Sequence, residues 1–201
     1  MKNEKIFRLI TPQDLPTRVE WVNTPIVQQN MGFGGLVTLE DTNSWYSRIV
    51  QDTSRMDFVL EQDGKLLAMA GVTTFKKDSL FAEVYIMVNP ECRGKGLGQL
   101  ASLLAFNRAF QNSNCVLLYS YISTHNTPSM NMFSRIGFTP IVKFVAPPPV
   151  LAKNIEQIPL KPGKELYCIT RDNILFKQRI EEVYTPCLCD LTTEVVFSPK
   201  D

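Results

Sequence analysis

Three glycines at alternate positions, Gly94, Gly96 and Gly98, separate two runs of different hydrophobic periodicity. Residues 81–88 are mainly β-branched or aromatic, which predicts a strand, whereas the apolar residues of 97–110 recur at helical spacing. Such a chain turns abruptly from strand to helix, and the missing Cβ atoms let the backbone of the turn approach a ligand. Because the first N–H groups of a helix lack partners and its dipole adds positive character, the turn is suited to a phosphate group.

Arg93 and Lys95 add two positive charges to this turn. The nucleotide-binding pattern G-x-x-x-x-G-K-[ST] is not matched, because Gly96 follows Lys95. The pattern G-x-G-x-x-G also fails, because Gln99 stands where its third glycine belongs. The structural alternative is a glycine-rich turn that serves only close packing between strand and helix.

The length and composition predict one globular domain. The chain has 201 residues, of which 44% are hydrophobic and 20% charged, so we expect a single domain over 1–201 with its core at about 5–172. Residues 173–201 are predicted to form a C-terminal extension. The 21 basic residues nearly balance the 20 acidic ones, which predicts neither a nucleic acid nor a membrane as partner.

The N-terminus shows neither a signal peptide nor an apolar span, and the five cysteines are odd in number and scattered. This usage is typical of a reducing compartment, so we predict a cytoplasmic protein. Cys187 and Cys189 lack the further ligands that a metal site needs, and no metal is predicted.

Periodicity and turn residues predict a mixed α/β fold. The predicted strands are 6–10, 58–61, 66–74, 81–88, 115–122, 138–144 and 166–170. The predicted helices are 15–21, a second that begins at Asp41 or Thr42, 97–110 and 127–135. Residues 31–35 are expected to be a flexible loop suited to a substrate lid.

Arg93, Gly96 and Gly98 match the signature R/Q-x-x-G-x-G/A, and the chain thereby resembles the GCN5-related N-acetyltransferase (GNAT) superfamily. A later block, from Asn126 to Phe138, is similar to the family's Asn, Ser, aromatic and Gly-Phe pattern. The resemblance implies the GNAT acyl-CoA N-acyltransferase fold, a central mostly antiparallel sheet flanked by helices. It also implies acetyl-CoA (coenzyme A) as co-substrate and no metal.

In this family the strand before the signature splays away from its neighbour, and the pantetheine arm of the cofactor fills the gap. The resemblance implies that a backbone N–H near Met87 donates to the thioester oxygen. It implies cofactor contacts for Met87, Val88, Arg93, Gly94, Lys95, Gly96, Leu97, Gly98, Gln99, Asn126, Ser129 and Phe133.

The attacking amine must lose a proton, so a base is required. Glu83 is the first candidate, since related enzymes have their general base at the corresponding glutamate, and His125 is the second. Either residue also has an ordinary interpretation, a salt-bridged or solvent-facing side chain. The family often uses a tyrosine as acid to the thiolate, but Phe133 stands at that place; Tyr85, Tyr119, Tyr121, Ser129 or water remain as alternatives.

The resemblance implies an N-acetyltransferase that moves an acetyl group from acetyl-CoA to a primary amine by direct attack in a ternary complex. The acceptor is expected to be an amino sugar, a small amine or amino acid, or a protein N-terminus, bound by loops 23–39 and 147–162. A homodimer is left open. The alternative function is a non-catalytic sensor that binds CoA or acyl-CoA on the same fold.

Overall fold

The computed structural model describes residues 4–73, 80–143, 155, 158–183 and 195–197. These residues form one eight-stranded sheet with helices on both faces. The strands are β1 Lys5–Leu9, β2 Met56–Gln62, β3 Lys65–Thr73, β4 Phe81–Val88, β5 Leu117–Ser123, β6 Thr139–Pro140, β7 Lys164–Thr170 and β8 Val195–Phe197. The helices are α1 Leu15–Val22, α2 Pro25–Met31, α3 Leu39–Ile49, α4 Leu97–Gln111, α5 Thr127–Arg135 and α6 Ile174–Val183.

The sheet has the order β6-β7-β5-β4-β3-β2-β1-β8. Its neighbouring strands are antiparallel except for β4 and β5, which run parallel. The predicted mixed α/β class with a mostly antiparallel sheet is therefore confirmed. The hairpin between β2 and β3 turns at Asp63 and Gly64, with φ of 50° and 74°. Two consecutive positive φ values are typical of the tight turn that the Asp-Gly pair predicts.

Side chains at alternate positions of the central strands point to opposite faces of the sheet, where they form two hydrophobic cores. Ala70, Val72 and Val84 face α4, which is apolar nearly all round because it lies against the sheet along its length. Val59, Met69 and Met87 point to the other face, where they meet the buried side chains of α1 and α2. We call the first the α4 face and the second the α1 face. Within the described ranges every helix is too short or too polar to cross a bilayer.

Several elements differ from the sequence prediction. Helix α2 was not predicted, and α3 begins earlier, because Thr38 and not Asp41 or Thr42 is its N-cap. The Thr38 hydroxyl accepts from the Asp41 N–H at 3.1 Å, and the Asp41 carboxylate accepts from the Thr38 N–H at 2.9 Å. The predicted strand 138–144 is wrong at 141–143, which form a 3-10 segment after Pro140, a residue without an N–H to extend the ladder. Residue 144 lies outside the described residues. Helix α6, in the predicted extension, packs Phe176 edge-on against Phe110 of α4.

Arg55, Asp57 and Tyr85 form a hydrogen-bonded cluster that links β2 to β4 on the α1 face. The cluster packs over Gly71 of β3. The Tyr85 hydroxyl donates to Asp57 Oδ1 at 2.6 Å, and Arg55 donates to both oxygens of the same carboxylate. Burial and the neighbouring Asp57 charge raise the pKa of Tyr85 well above its usual value, so the phenol remains a donor. Gly71 lies directly opposite Tyr85 in the ladder, and the ring occupies the space where a Cβ would be.

Gly71→Ala is therefore expected to destabilise the protein. An added Cβ would lie 2.0 Å from Tyr85 Cε1 and 2.9 Å from Asp57 Oδ1, so the ring must move and the hydrogen bond must break. Overpacking of this kind costs about 2–3 kcal/mol, measurable as the free energy of unfolding in urea. Gly34→Ala is the control, since nothing lies within 4 Å of its Cβ position. Equal stability of the two variants would contradict this packing.

Candidate active site

Strands β4 and β5 separate after a short paired segment. Their parallel pairing covers three residues of each strand, from Phe81 to Glu83 and from Leu117 to Tyr119. Beyond Glu83, β4 continues to Val88 without a further β5 partner among the described residues, while β5 remains paired with β7 on its other side. The splay expected from the family resemblance is thus present. It leaves an open edge of β4 beside an open edge of β5.

The register between β3 and β4 decides which backbone groups face this gap. The Asn89 N–H donates to the Leu67 carbonyl at 3.0 Å, and the ladder continues without a bulge through Val88–Ala68 and Met87–Met69. Hydrogen-bonded and non-hydrogen-bonded pairs alternate in an antiparallel ladder, so Met87 exchanges its backbone bonds with Met69. The N–H and C=O groups of Ile86 and Val88 consequently point toward β5.

This register makes one expectation more specific. A backbone N–H near Met87 was expected to donate to the thioester oxygen, and the N–H of Met87 itself is directed at β3. The N–H groups of Ile86 and Val88 are the donors that the gap offers. Residue identity alone does not reveal this, because the phase of hydrogen bonding is set by the partner strand.

The glycine turn follows β4 after a short 3-10 segment, Pro90–Cys92. Gly94 and Gly96 have φ of 76° and 74°, the left-handed region that favours glycine, and the positions of their missing Cβ atoms are open. Gly98 serves packing instead, since a Cβ there would lie 2.9 Å from Val88 Cγ2. Within the described part of the chain, no acceptor receives the N–H groups of Gly96, Leu97 or Gly98.

One cavity of about 620 Å³ joins the turn to the end of β4. It brings together most of the predicted site residues, from the turn, from β4 and from the start of α5. Those that line it are Met87, Val88, Arg93, Gly94, Gly96, Leu97, Gly98, Gln99, His125, Asn126 and Ser129. Asn126 also begins α5, its side-chain oxygen accepting from the Ser129 N–H at 3.2 Å.

Three predicted residues lie outside this cavity. The Lys95 side chain is exposed on the turn. Phe133 is buried in the core against Phe106 and Phe138, because it lies on the face of α5 that is turned inward. Its cofactor role is therefore not supported by its position. Glu83 lies on the α1 face of β4, where its carboxylate is 32% exposed and 3.6 Å from Lys161 Nζ.

The hydrogen bonds and positions of the candidate side chains also limit which of them could donate a proton to the thiolate. The Tyr85 hydroxyl already donates to Asp57. Tyr121 donates to the Pro159 carbonyl at 2.6 Å, and burial, with the neighbouring Tyr119 and Glu83, raises the pKa of Tyr121 to about 12. Ser129 is the one of the candidate side chains that lines the cavity.

Several residues that line the cavity were not predicted from the sequence. Helix α2 contributes Ile26, Gln29 and Asn30 to one wall, and Thr24-Pro25 was a recognisable start signal for that helix. Arg135 lies at the end of α5 and adds a second cation to the cavity lining, besides Arg93. Its spacing from Pro128 and Met132 places it on the cavity side of α5. The described residues contain no cluster of three or more potential metal ligands.

Comparison with known proteins agrees with this geometry. Residues 5–139 match the family model described as acetyltransferase (GNAT) domain. Spermidine N(1)-acetyltransferase of Escherichia coli strain K12 is 29% identical over 94 residues, which is 47% of this chain and 50% of that enzyme. The chain thus spans about half the length of that relative. Human alpha/beta-tubulin-N-acetyltransferase 9 is 26% identical over 143 residues, covering 64% of this chain and 69% of that protein.

Among solved structures, spermidine N-acetyltransferase from Vibrio cholerae in complex with CoA and spermine has a TM-score of 0.69 and 16% identity. The match covers 84% of this chain and 96% of that one. At this identity the match shows a common fold.

Truncation of a buried side chain of α5 is expected to lower the free energy of unfolding much more than truncation of an exposed side chain of the same helix. Phe133→Ala removes a buried ring and should lower the free energy of unfolding by about 3–5 kcal/mol. Arg135→Ala removes an exposed side chain from the same helix and should change it by less than about 1 kcal/mol. Chemical denaturation of both variants measures the difference. A stable Phe133→Ala protein would contradict the core position of this ring.

Proposed function

The chain belongs to the acetyltransferase (GNAT) family, and from this premise we propose that it transfers an acetyl group from acetyl-CoA to a primary amine. The observation that carries the proposal is the continuous cavity between the unpartnered amides of the turn and the open edge of β4. The end at the turn has the positive character that suits a diphosphate, and the end at the open edge of β4 has the backbone groups that suit the amides of a pantetheine arm. Acetyl-CoA supplies the acyl group as an activated thioester.

The residues of the turn fit a diphosphate. The N–H groups of Gly96, Leu97 and Gly98 converge at the first turn of α4, where the helix dipole favours an anion. Arg93 and Arg135 line the same cavity and supply positive charge. Because Gly94 and Gly96 leave their Cβ positions open, the phosphate oxygens have access to the backbone donors.

The gap between β4 and β5 fits an extended amide chain. Ile86 and Val88 present backbone donors and acceptors along the open edge of β4, as the edge strand of a sheet does for an added strand. Asn126 and Ser129 border the cavity from α5. A backbone N–H of Ile86 or Val88 is then positioned to donate to the thioester oxygen where negative charge develops.

Glu83 is proposed to receive the proton of the acceptor's ammonium, directly or through water. It lies on the α1 face, away from α4, at the position where β4 and β5 begin to separate. His125 is the second candidate because it lines the cavity and is exposed. The amino-sugar, small-amine and protein N-terminal acceptors remain predictions.

Three broader proposals accompany this function. We treat the chain as one domain, supported by the contacts of α6 with α4 and by the pairing of β8 with β1. A cytoplasmic location is supported by the odd number of cysteines and by the free, buried thiols of Cys92, Cys115 and Cys168. A homodimer remains a prediction. Cys187 and Cys189, for which no metal was predicted, lie outside the described residues.

Gly96→Asp tests the diphosphate site. The new carboxylate would stand among the amide donors and repel the diphosphate, so CoA affinity measured by calorimetry should fall at least about tenfold. Gly64→Asp is a matched control, since Gly64 has the same φ of 74° and open space but lies in the β2–β3 hairpin. Both variants carry similar backbone strain, and only Gly96→Asp should lose CoA. Equal CoA affinity in the two variants would remove the turn from the binding site.

Glu83→Gln tests the proposed base. It keeps the shape of the side chain but cannot take a proton, so kcat at neutral pH should fall about 100-fold with CoA affinity unchanged. The control is Glu182→Gln in α6, which also removes a carboxylate paired with a cation, Arg179, and should leave kcat unchanged. Unchanged turnover in Glu83→Gln would exclude Glu83 as the base.

CoA release with a panel of amino sugars, alkylamines, amino acids and peptides separates the transferase from the sensor. Turnover of one amine supports the transferase. Tight CoA binding without release of CoA by any member of the panel would favour a non-catalytic sensor.

A further inference from the structure

The side chain of Lys161 lies on the α1 face of the sheet, beside the proposed base Glu83. Its Nζ is 3.6 Å from Glu83 Oε1 and 3.7 Å from the centroid of the Tyr121 ring. A carboxylate and the face of an aromatic ring are two groups that together attract an alkylammonium ion. The lysine side chain is itself a primary alkylammonium, so the chain shows what this pair of groups accommodates.

The sheet register places the two groups side by side. Glu83 is paired with Tyr119 across the parallel β4–β5 contact, and Tyr121 lies two residues further along β5 on the same face. The rings of Tyr119 and Tyr121 meet edge-on at 5.8 Å, which fixes the orientation of the Tyr121 face. The Glu83–Tyr121 pair is therefore built by strand register and does not depend on Lys161.

Lys161 reaches this pair from residues 158–163, which we call the strap. The Tyr121 hydroxyl anchors the strap through the Pro159 carbonyl at 2.6 Å. The Lys161 side chain is 45% exposed, and exposed ion pairs contribute little free energy. Its ammonium can therefore be displaced by a soluble one.

We propose that Glu83 and Tyr121 form the ammonium subsite of the acceptor, and that Lys161 occupies this subsite as an internal competitor until an acceptor displaces it. The inference rests on the proposed transferase function. It identifies Lys161 as a residue that sets acceptor affinity, whereas Glu83 receives the proton. Release of Lys161 also removes one of the contacts that hold the strap over Glu83.

n-Butylamine is the appropriate probe because it reproduces the lysine side chain from Cβ to Nζ. In Lys161→Met the competing charge is absent, so the KM for n-butylamine should fall about two- to fivefold while kcat stays within about twofold. Lys177→Met is the matched control, since it removes an exposed lysine of α6 whose Nζ lies 3.0 Å from the Asp172 carboxylate. An unchanged or raised KM in Lys161→Met would overturn the inference and leave the transferase proposal intact.

Hydrogen exchange gives a readout that does not require turnover. Saturating n-butylammonium should increase amide exchange of Thr124 and Lys164 in the wild-type chain, because their N–H groups donate to the Gly163 and Lys161 carbonyls of the strap. The Lys161→Met variant should show the same increase in the absence of the amine. If these changes occur but no amine is acetylated, the subsite stands and the transferase proposal fails. Unchanged exchange of these two amides in both experiments would overturn the displacement of Lys161.

Discussion

The separation of β4 from β5 after three paired residues is the constraint on which the site depends. Backbone N–H and C=O groups that lose a strand partner need another partner, and an extended ligand supplies one. The alternation set by β3 directs the groups of Ile86 and Val88 into this opening. Since the glycine turn begins a few residues further on, the donors of the gap and those of the α4 N-terminus line the same cavity.

In the proposed function, the two faces of the sheet separate cofactor binding from proton transfer. Side chains at alternate positions of β4 point to opposite faces, so Val84 enters the core under α4 while Glu83 remains on the α1 face. The apolar α4 face holds the helix whose first turn carries the proposed phosphate donors. The α1 face carries Glu83, Tyr121 and Lys161, the groups that we propose recognise and deprotonate an amine. The gap between β4 and β5 connects the two faces.

The sequence allowed the prediction of the features that local rules determine. Strand β4, helix α4 and helix α5 follow from periodicity and from their start signals, and they carry most residues of the cavity. Helix α2 was not predicted because its seven residues give too short a periodic pattern, although Pro25 marks its start. Strand β6 was predicted too long, since Pro140 stops the ladder after two residues.

Other features depend on tertiary contacts and leave no local signal. The donors of the gap are fixed by the pairing of β4 with β3, so the amide of Met87 could not be excluded from its own sequence. The burial of Phe133 depends on the phase of α5 against Phe106 and Phe138. The meeting of Lys161 with Glu83 joins residues that are far apart in the chain, and composition or spacing cannot reveal such a contact.

We propose that unpartnered amides of the turn and of β4 bind CoA, and a titration of the ¹⁵N-labelled protein with CoA, followed by backbone amide chemical shifts, tests this proposal. We expect large shifts for the amides of Gly96, Leu97, Gly98, Ile86 and Val88, and a smaller shift for the amide of Met87. If CoA saturates the protein while the first five amides stay unshifted, or if its largest effects fall on another surface, CoA does not bind at this site.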